Sequence, residues 1–259
     1  MKKKTLIYLI LISIIIICGI LFYLLKIDDN SNGNTSENTS QEKTTQKTNY
    51  NNKDTNLKIP EKSSPKIPDS YLLDVPFTSQ APYTNWDFDH NEACEEASVL
   101  MMKEFVSGNK QAKLDPKYAD SQIIKMINYE KDLLGSHIDF TAKQTVDYLL
   151  KDFYKINAKV VNLDLNTIKE NISNGKPVIV PFAGRELKNP NFKIPGPIYH
   201  MLLIKGYKNN GSIIITNDPG TRNGQNYEYS WDTVWSATHD WNKTGDQILS
   251  GKKVMIVLD

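Results

Sequence analysis

Cys94 is the residue whose type and setting could do chemistry, and it sits in the stretch Asn91 to Met102, NEACEEASVLMM. Ala93, Ala97, Leu100 and Met101 recur at intervals of three and four, which predicts a helix beginning at the cysteine. Glu92, Glu95 and Glu96 crowd its first turn, where free backbone N–H groups favour negative charge. The same N–H groups would stabilise a thiolate, the form of cysteine that attacks carbonyls. A thiol that merely fills space is the alternative reading of such a position.

His200 and Asp218 supply what a nucleophilic thiol needs. Each sits at an end of one of two short apolar runs, HMLLIK at 200–205 and SIIITN at 212–217, joined by KNNG at 208–211 as a hairpin. A turn centred near Asn209 would place His200 and Asp218 opposite each other, with Cβ atoms about 5 Å apart. A turn built on Asn210-Gly211 would shift the pairing by about three residues. An imidazole gripped by a carboxylate has a set tautomer and can take a proton from a thiol. Taken singly, His200 also reads as a structural histidine and Asp218 as part of an Asp-Pro-Gly turn. Gln80, fourteen residues before Cys94, carries an amide that could donate to an oxyanion beside the Cys94 N–H.

The elements that must position these residues run from Tyr71 to Asp259, enough chain for one domain with a sizeable core. YLLDVPF opens it as a short extended segment. Helices are expected from Cys94 to about Val106 with Gly108 as the stop, over 118–130, after a Thr141 cap, and over 165–174 before Gly175. Strands are expected at 176–180, 200–205, 212–217 and 253–258. Helices first and strands after predict an α+β domain, its N-terminal helical part packed against a C-terminal antiparallel sheet. The irregular segment 182–199 precedes His200 and is a candidate substrate rim, with Arg185 able to meet a carboxylate. Trp86, between Gln80 and Cys94, is a candidate cleft wall. His90 and Cys94 find no third and fourth metal ligands in the pattern, so no zinc site is expected.

Residues 1–27 read as an N-terminal transmembrane signal anchor. Lys2, Lys3 and Lys4 precede an apolar run from Thr5 to Leu25, long enough at 1.5 Å per residue to reach about 30 Å. The lysines place the N-terminus in the cytoplasm and the domain outside, in a single-pass cell-membrane topology; a cleaved signal peptide is the alternative. Residues 28–70 carry few apolar side chains and read as a polar, disordered tether, stiffened by Pro60, Pro65 and Pro68. The net charge of +1, from 31 basic and 30 acidic residues, gives no reason to expect nucleic acid. The only other cysteine, Cys18, lies in the apolar run, so no disulfide framework is expected.

VPFTSQAP, then ACEEAS, then YHMLLIKGY followed by ITNDPG together resemble the papain-like cysteine peptidase superfamily, in its branch related to the double-glycine leader peptidases (peptidase C39-like). The resemblance covers about 190 residues, essentially all of 71–259. It implies a papain-like fold with Cys94 as nucleophile, His200 as general base and acid, Asp218 as its orienter and Gln80 as oxyanion donor. It implies no cofactor and no metal. Where family members often follow the cysteine with glycine, this chain has Glu95 and Glu96, whose charges should oppose thiolate formation. The function implied is a thiol-dependent hydrolase cleaving a peptide or related amide bond of a peptide, protein or cell-envelope substrate. The alternatives are a catalytically silent module that binds such material, and a cysteine transpeptidase.

Overall fold

The computed structural model describes residues 67–242 and 245–259. One antiparallel sheet carries the domain, with strands β1 (Tyr71–Leu72), β2 (Ala158–Asn162), β3 (Val178–Ala183), β4 (Tyr199–Lys208), β5 (Ile213–Asn217), β6 (Gln225–Ser230) and β7 (Val254–Leu258). Their order is β2-β7-β3-β4-β5-β6, and β1 adds a short pairing to β4. β4 is buried along nine of its ten residues, Tyr199 to Tyr207, which is why HMLLIKGY reads as a continuous apolar run and not as an alternation.

The helices are α1 (Phe88–Asn91), α2 (Cys94–Val106), α3 (Pro116–Leu134), α4 (Ala142–Gln144), α5 (Leu165–Ser173) and α6 (Trp231–Ala237). Several starts have a local cause, although α2 follows Ala93 with no side-chain cap. Asp115, Thr141 and Asp164 accept hydrogen bonds from the backbone N–H groups of Tyr118, Gln144 and Thr167, and Pro116 occupies the first turn of α3. Thr141 and Gln144 form a reciprocal capping box, after which the chain winds wider, as a π-helix over Thr145–Phe153. Gly135 and Gly175 end α3 and α5 in the left-handed region, at φ 79° each, where a side chain would strain the backbone. Helix α2 packs on β4, and α5 against β1, β3 and β4. This is an α+β domain in which helices cover an antiparallel sheet, as expected.

The expected single-pass anchor is corrected. Among the described residues no helix is long and apolar enough to cross a membrane. The run 5–25 and the tether up to residue 66 lie outside the described residues; residues 67–70, expected in the tether, are described, and the Pro68 and Asp69 carbonyls accept from Tyr207 Oη and the Asn210 N–H. Nothing among the described residues supports a membrane partner, a cytoplasmic N-terminus or an extracellular domain.

Three elements and one turn differ from expectation. β2 and β6 do not stand out in sequence because AKVVN and QNYEYS are half-polar sheet-edge strands with partly exposed faces. α6 starts on a Ser230 cap that is not conspicuous in sequence. The β4–β5 hairpin takes the tighter turn: Lys208 faces Ile213 across Asn209–Gly211, with Asn209 and Asn210 at positive φ. A bulge between Ile204 and Gly206 then recovers one residue, so that Leu203 faces Asn217. Continued one step, this register would set Asp218 opposite Leu202. His200 is therefore diagonal to Asp218, two residues along the same face.

Candidate functional site

His200 and Asp218 meet across that diagonal. His200 Nε2 lies 2.7 Å from Asp218 Oδ1, with both residues buried. Asp218 is held on every side. Its Oδ1 also accepts from the Gly220 N–H at 3.0 Å, and its Oδ2 accepts from Tyr229 Oη at 2.7 Å and Asn189 Nδ2 at 3.1 Å. Burial pushes the Asp218 carboxyl up, but the His200 imidazole and the Tyr229 and Gly220 donors outweigh it and hold the group below the usual carboxylate range. The Asp-Pro-Gly turn makes this possible, because its amide supplies one donor while its backbone returns the chain. A Cβ at Gly220 would fall 2.9 Å from His200 Cε1, so the glycine is needed for the ring's approach.

Cys94 opens α2, as expected, with only 4% of its surface exposed. Two contacts dock this helix start on β4 beside His200. The Met201 N–H donates to Cys94 Sγ at 3.3 Å, and Ser98 Oγ donates to the Met201 carbonyl at 3.1 Å. The thiol itself donates to Glu95 Oε2 at 3.0 Å. Among the described residues no hydrogen bond joins Sγ to His200.

At Cys94 the opposition expected from neighbouring carboxyls prevails, joined by burial. Burial pushes the Cys94 thiol well up, the charge of Glu95 and its hydrogen bond add to this, and Asp139 adds further; the Met201 N–H opposes them only in part. Glu95 and Glu96 lie in the first turn of α2, as expected, but both are buried, and burial pushes both carboxyls well up.

Gln80 reaches the site but spends both its N–H groups on the loop before Cys94. Its Nε2 donates to the His90 carbonyl at 2.9 Å and the Asn91 carbonyl at 3.0 Å, leaving Oε1 buried without a partner. Its backbone N–H donates to the Pro219 carbonyl, which ties it to the turn holding Asp218. His90 has a structural setting, with Nδ1 2.7 Å from Asp87 and Nε2 3.0 Å from Asp120.

Gln80, Cys94 and His200 line one cleft of about 880 Å³ between the helical part and the sheet. Trp86, expected as a wall, does line it, and 43% of its surface is exposed. The expected rim is supplied by residues 191–198, with Ile194 almost wholly exposed. Arg185 does not line this cleft; its Nε donates to the Gly196 carbonyl within the loop. Lys193 and Arg222 are the cations on the cleft, and Glu92 and Asp139 lie among its acids. Burial raises the Asp139 carboxyl to about 7, with the charge of Glu92 adding to it. Tyr229, Asn189, Gly220 and Asp139 did not appear in the sequence reading. Only Gly220 left a trace there, as the glycine of a turn signature.

With this geometry in hand, comparison with known proteins places the chain. Residues 72–249 match the model of the Peptidase_C39 like family. Among solved structures, a Bacillus anthracis protein described as a C39-like peptidase is 15% identical with a TM-score of 0.45, covering 74% of this chain and 98% of its own. Xylellain, a cysteine protease from Xylella fastidiosa, is 13% identical with a TM-score of 0.31, covering 75% of this chain and 87% of its own. Neither likeness is close enough to carry an argument about activity. Comparison with curated proteins found no match. The family match extends from the second residue of β1 into the segment before β7 and takes in all four candidate site residues: the chain belongs to the Peptidase_C39 like family.

Proposed function

We propose that residues 71–259 form a papain-like module whose cleft binds an extended peptide or a related amide-bearing chain. The observation that carries this reading is the cleft of about 880 Å³, flanked by Trp86 on the helical side and the 191–198 segment on the other. Exposed aromatic and aliphatic side chains around a groove with a few polar groups on its floor suit a chain with mixed side chains. In the described geometry Cys94 Sγ is hydrogen-bonded to Glu95 and burial pushes the thiol up, which favours binding over turnover in this state.

A second reading, thiol-dependent hydrolysis, is favoured by the His200–Asp218 pair. Nε2 is committed to Asp218, so the other ring nitrogen, Nδ1, is the one left to serve a nucleophile. In this reading Nδ1 takes the Cys94 proton, and a sulfur–carbon bond forms as the carbonyl π pair moves onto oxygen. The carbon–nitrogen bond then breaks, with the amine taking the proton from the imidazolium. Water splits the thioester and restores the thiol. An amine in place of water would give transpeptidation. The Cys94 N–H is the natural oxyanion donor, and Gln80 would join it only after releasing the His90 or Asn91 carbonyl.

One experiment separates these readings: an unbiased peptide library offered to the wild-type chain and to Cys94→Ala. Peptides retained equally by both and recovered intact support the binding module. Cleavage that disappears with Cys94→Ala and with His200→Ala supports the hydrolase, and joined products in the presence of an added amine support the transpeptidase. No retention and no cleavage would overturn the assignment of the cleft.

A further inference from the structure

The fold gives Glu95 a position that the nucleophile reading does not use. Its Oε2 accepts from the Cys94 thiol at 3.0 Å, while its Oε1 accepts from the Phe140 N–H at 2.9 Å. The second bond crosses from α2 to the loop before α4, so the carboxylate is fixed at both oxygens and cannot drift off the sulfur. Glu95 is itself buried. We propose that Glu95 is a latch on Cys94, a positioning residue that accepts the thiol proton's hydrogen bond and holds the sulfur protonated and unengaged with His200. This rests on the reading of Cys94 as a nucleophile, and it assigns how that nucleophile is restrained.

The chemistry of the pair decides where its proton resides. Burial raises both groups, but a carboxyl group is ordinarily several pH units more acidic than a thiol, so a proton shared by the two stays on sulfur. Removing it would leave two anions in contact in a buried site. The surroundings offer little relief. Asp139 and Glu130 face the pair from the loop before α4 and from α3, Glu92 and Glu96 flank it on its own segment, and Tyr199 lies on β4. His200, also on β4, is the cation-forming group nearest in sequence to the docked Met201 amide, and its Nε2 is bound to Asp218.

Substitution of Glu95 by Gln keeps the shape and the acceptor for Phe140, removes the charge, and turns an amide donor toward the sulfur. The test is the rate of iodoacetamide alkylation against pH in the full chain carrying Cys18→Ser, where Cys94 is the only thiol, with and without Glu95→Gln. The midpoint of the rate–pH profile should move by at least one unit toward acid, giving about tenfold faster alkylation at pH 7. An unmoved midpoint, including one beneath a uniformly raised profile that reports only loosened packing, would overturn the latch. If Glu95→Gln does not fold, the S–H stretching band of the Cys18→Ser chain decides. A band displaced to low frequency by a strong hydrogen bond upholds the latch, and a band at the free-thiol position overturns it. His200→Ala in both backgrounds separates this claim from the reading beneath it. If alkylation is indifferent to His200 while Glu95→Gln still moves the midpoint, the nucleophile reading fails and the restraint stands; the reverse pattern sinks the latch alone.

Discussion

Tyr229 donates a 2.7 Å hydrogen bond to one oxygen of the Asp218 carboxylate whose other oxygen holds His200. Both partners are buried, so neither end of this bond can turn to water when the other is removed. Tyr229→Phe should destabilise the domain by about 1.5–3 kcal/mol, the range for a hydrogen bond to a charged group. Urea unfolding of the two proteins checks this. Wild-type stability in the variant would mean that Asn189 and Gly220 suffice to hold the carboxylate.

Gly220 makes room for the ring of His200. A methyl group there would meet His200 Cε1 at 2.9 Å and Nε2 at 3.1 Å, and Phe192 Cε1 at 3.0 Å. Gly220→Ala should therefore displace the imidazole and abolish whatever depends on His200, with a loss of stability of about 1.5–3 kcal/mol because the shift breaks the ring's hydrogen bond to buried Asp218. Comparing His200 ring proton shifts with the unfolding midpoint tests both halves. An unmoved ring would show that the turn yields in its place.

Gln80 is expected to matter for stability as well as for the cleft. Gln80→Ala removes the donors to two carbonyls, those of His90 and Asn91, in a loop that sets the start of α2. A cost of about 1–3 kcal/mol follows from leaving buried acceptors unpaired. Thermal or urea unfolding reads it directly. A variant as stable as wild type but poor in turnover would instead favour an oxyanion role.

Stability should fall as pH rises through neutrality. Burial raises the Glu130 carboxyl to about 8, with Glu95 adding to it, and raises Asp139 to about 7. Both values lie above those of the unfolded chain, so the folded state binds these protons more tightly. Their contribution is fully present below the ordinary carboxylate range and is lost between about pH 4 and pH 8. Glu130→Gln should flatten that loss and stabilise the domain at pH 8 by on the order of 2 kcal/mol. Unfolding midpoints at pH 5, 6.5 and 8 check the sign. A wild-type curve rising over that interval would contradict it.

Sequence periodicity was a good guide where burial is one-sided or complete. It located α2 from its first residue and predicted the central strands of the sheet, because a run such as HMLLIK has no reading but burial. It did worst at the sheet edges, where QNYEYS mixes faces. The pairing of His200 with Asp218 was legible as a hairpin, but its register depended on a bulge at Lys205 that no residue type announces. The burial of Glu95 and Glu96 was illegible for a different reason. Acidic residues in a first helical turn ordinarily face water, and only the packing of α3 and the 139–140 loop over them takes that water away. The likeness to C39-like peptidases was legible from the four short motifs, and the family match agrees with it at that level.

The residue next to His200 is clamped through both of its peptide groups, its amide to the sulfur of Cys94 and its carbonyl to the hydroxyl of Ser98. The opposing sides of the groove are thus riveted together at its floor. Sliding α2 along β4 would have to break both bonds.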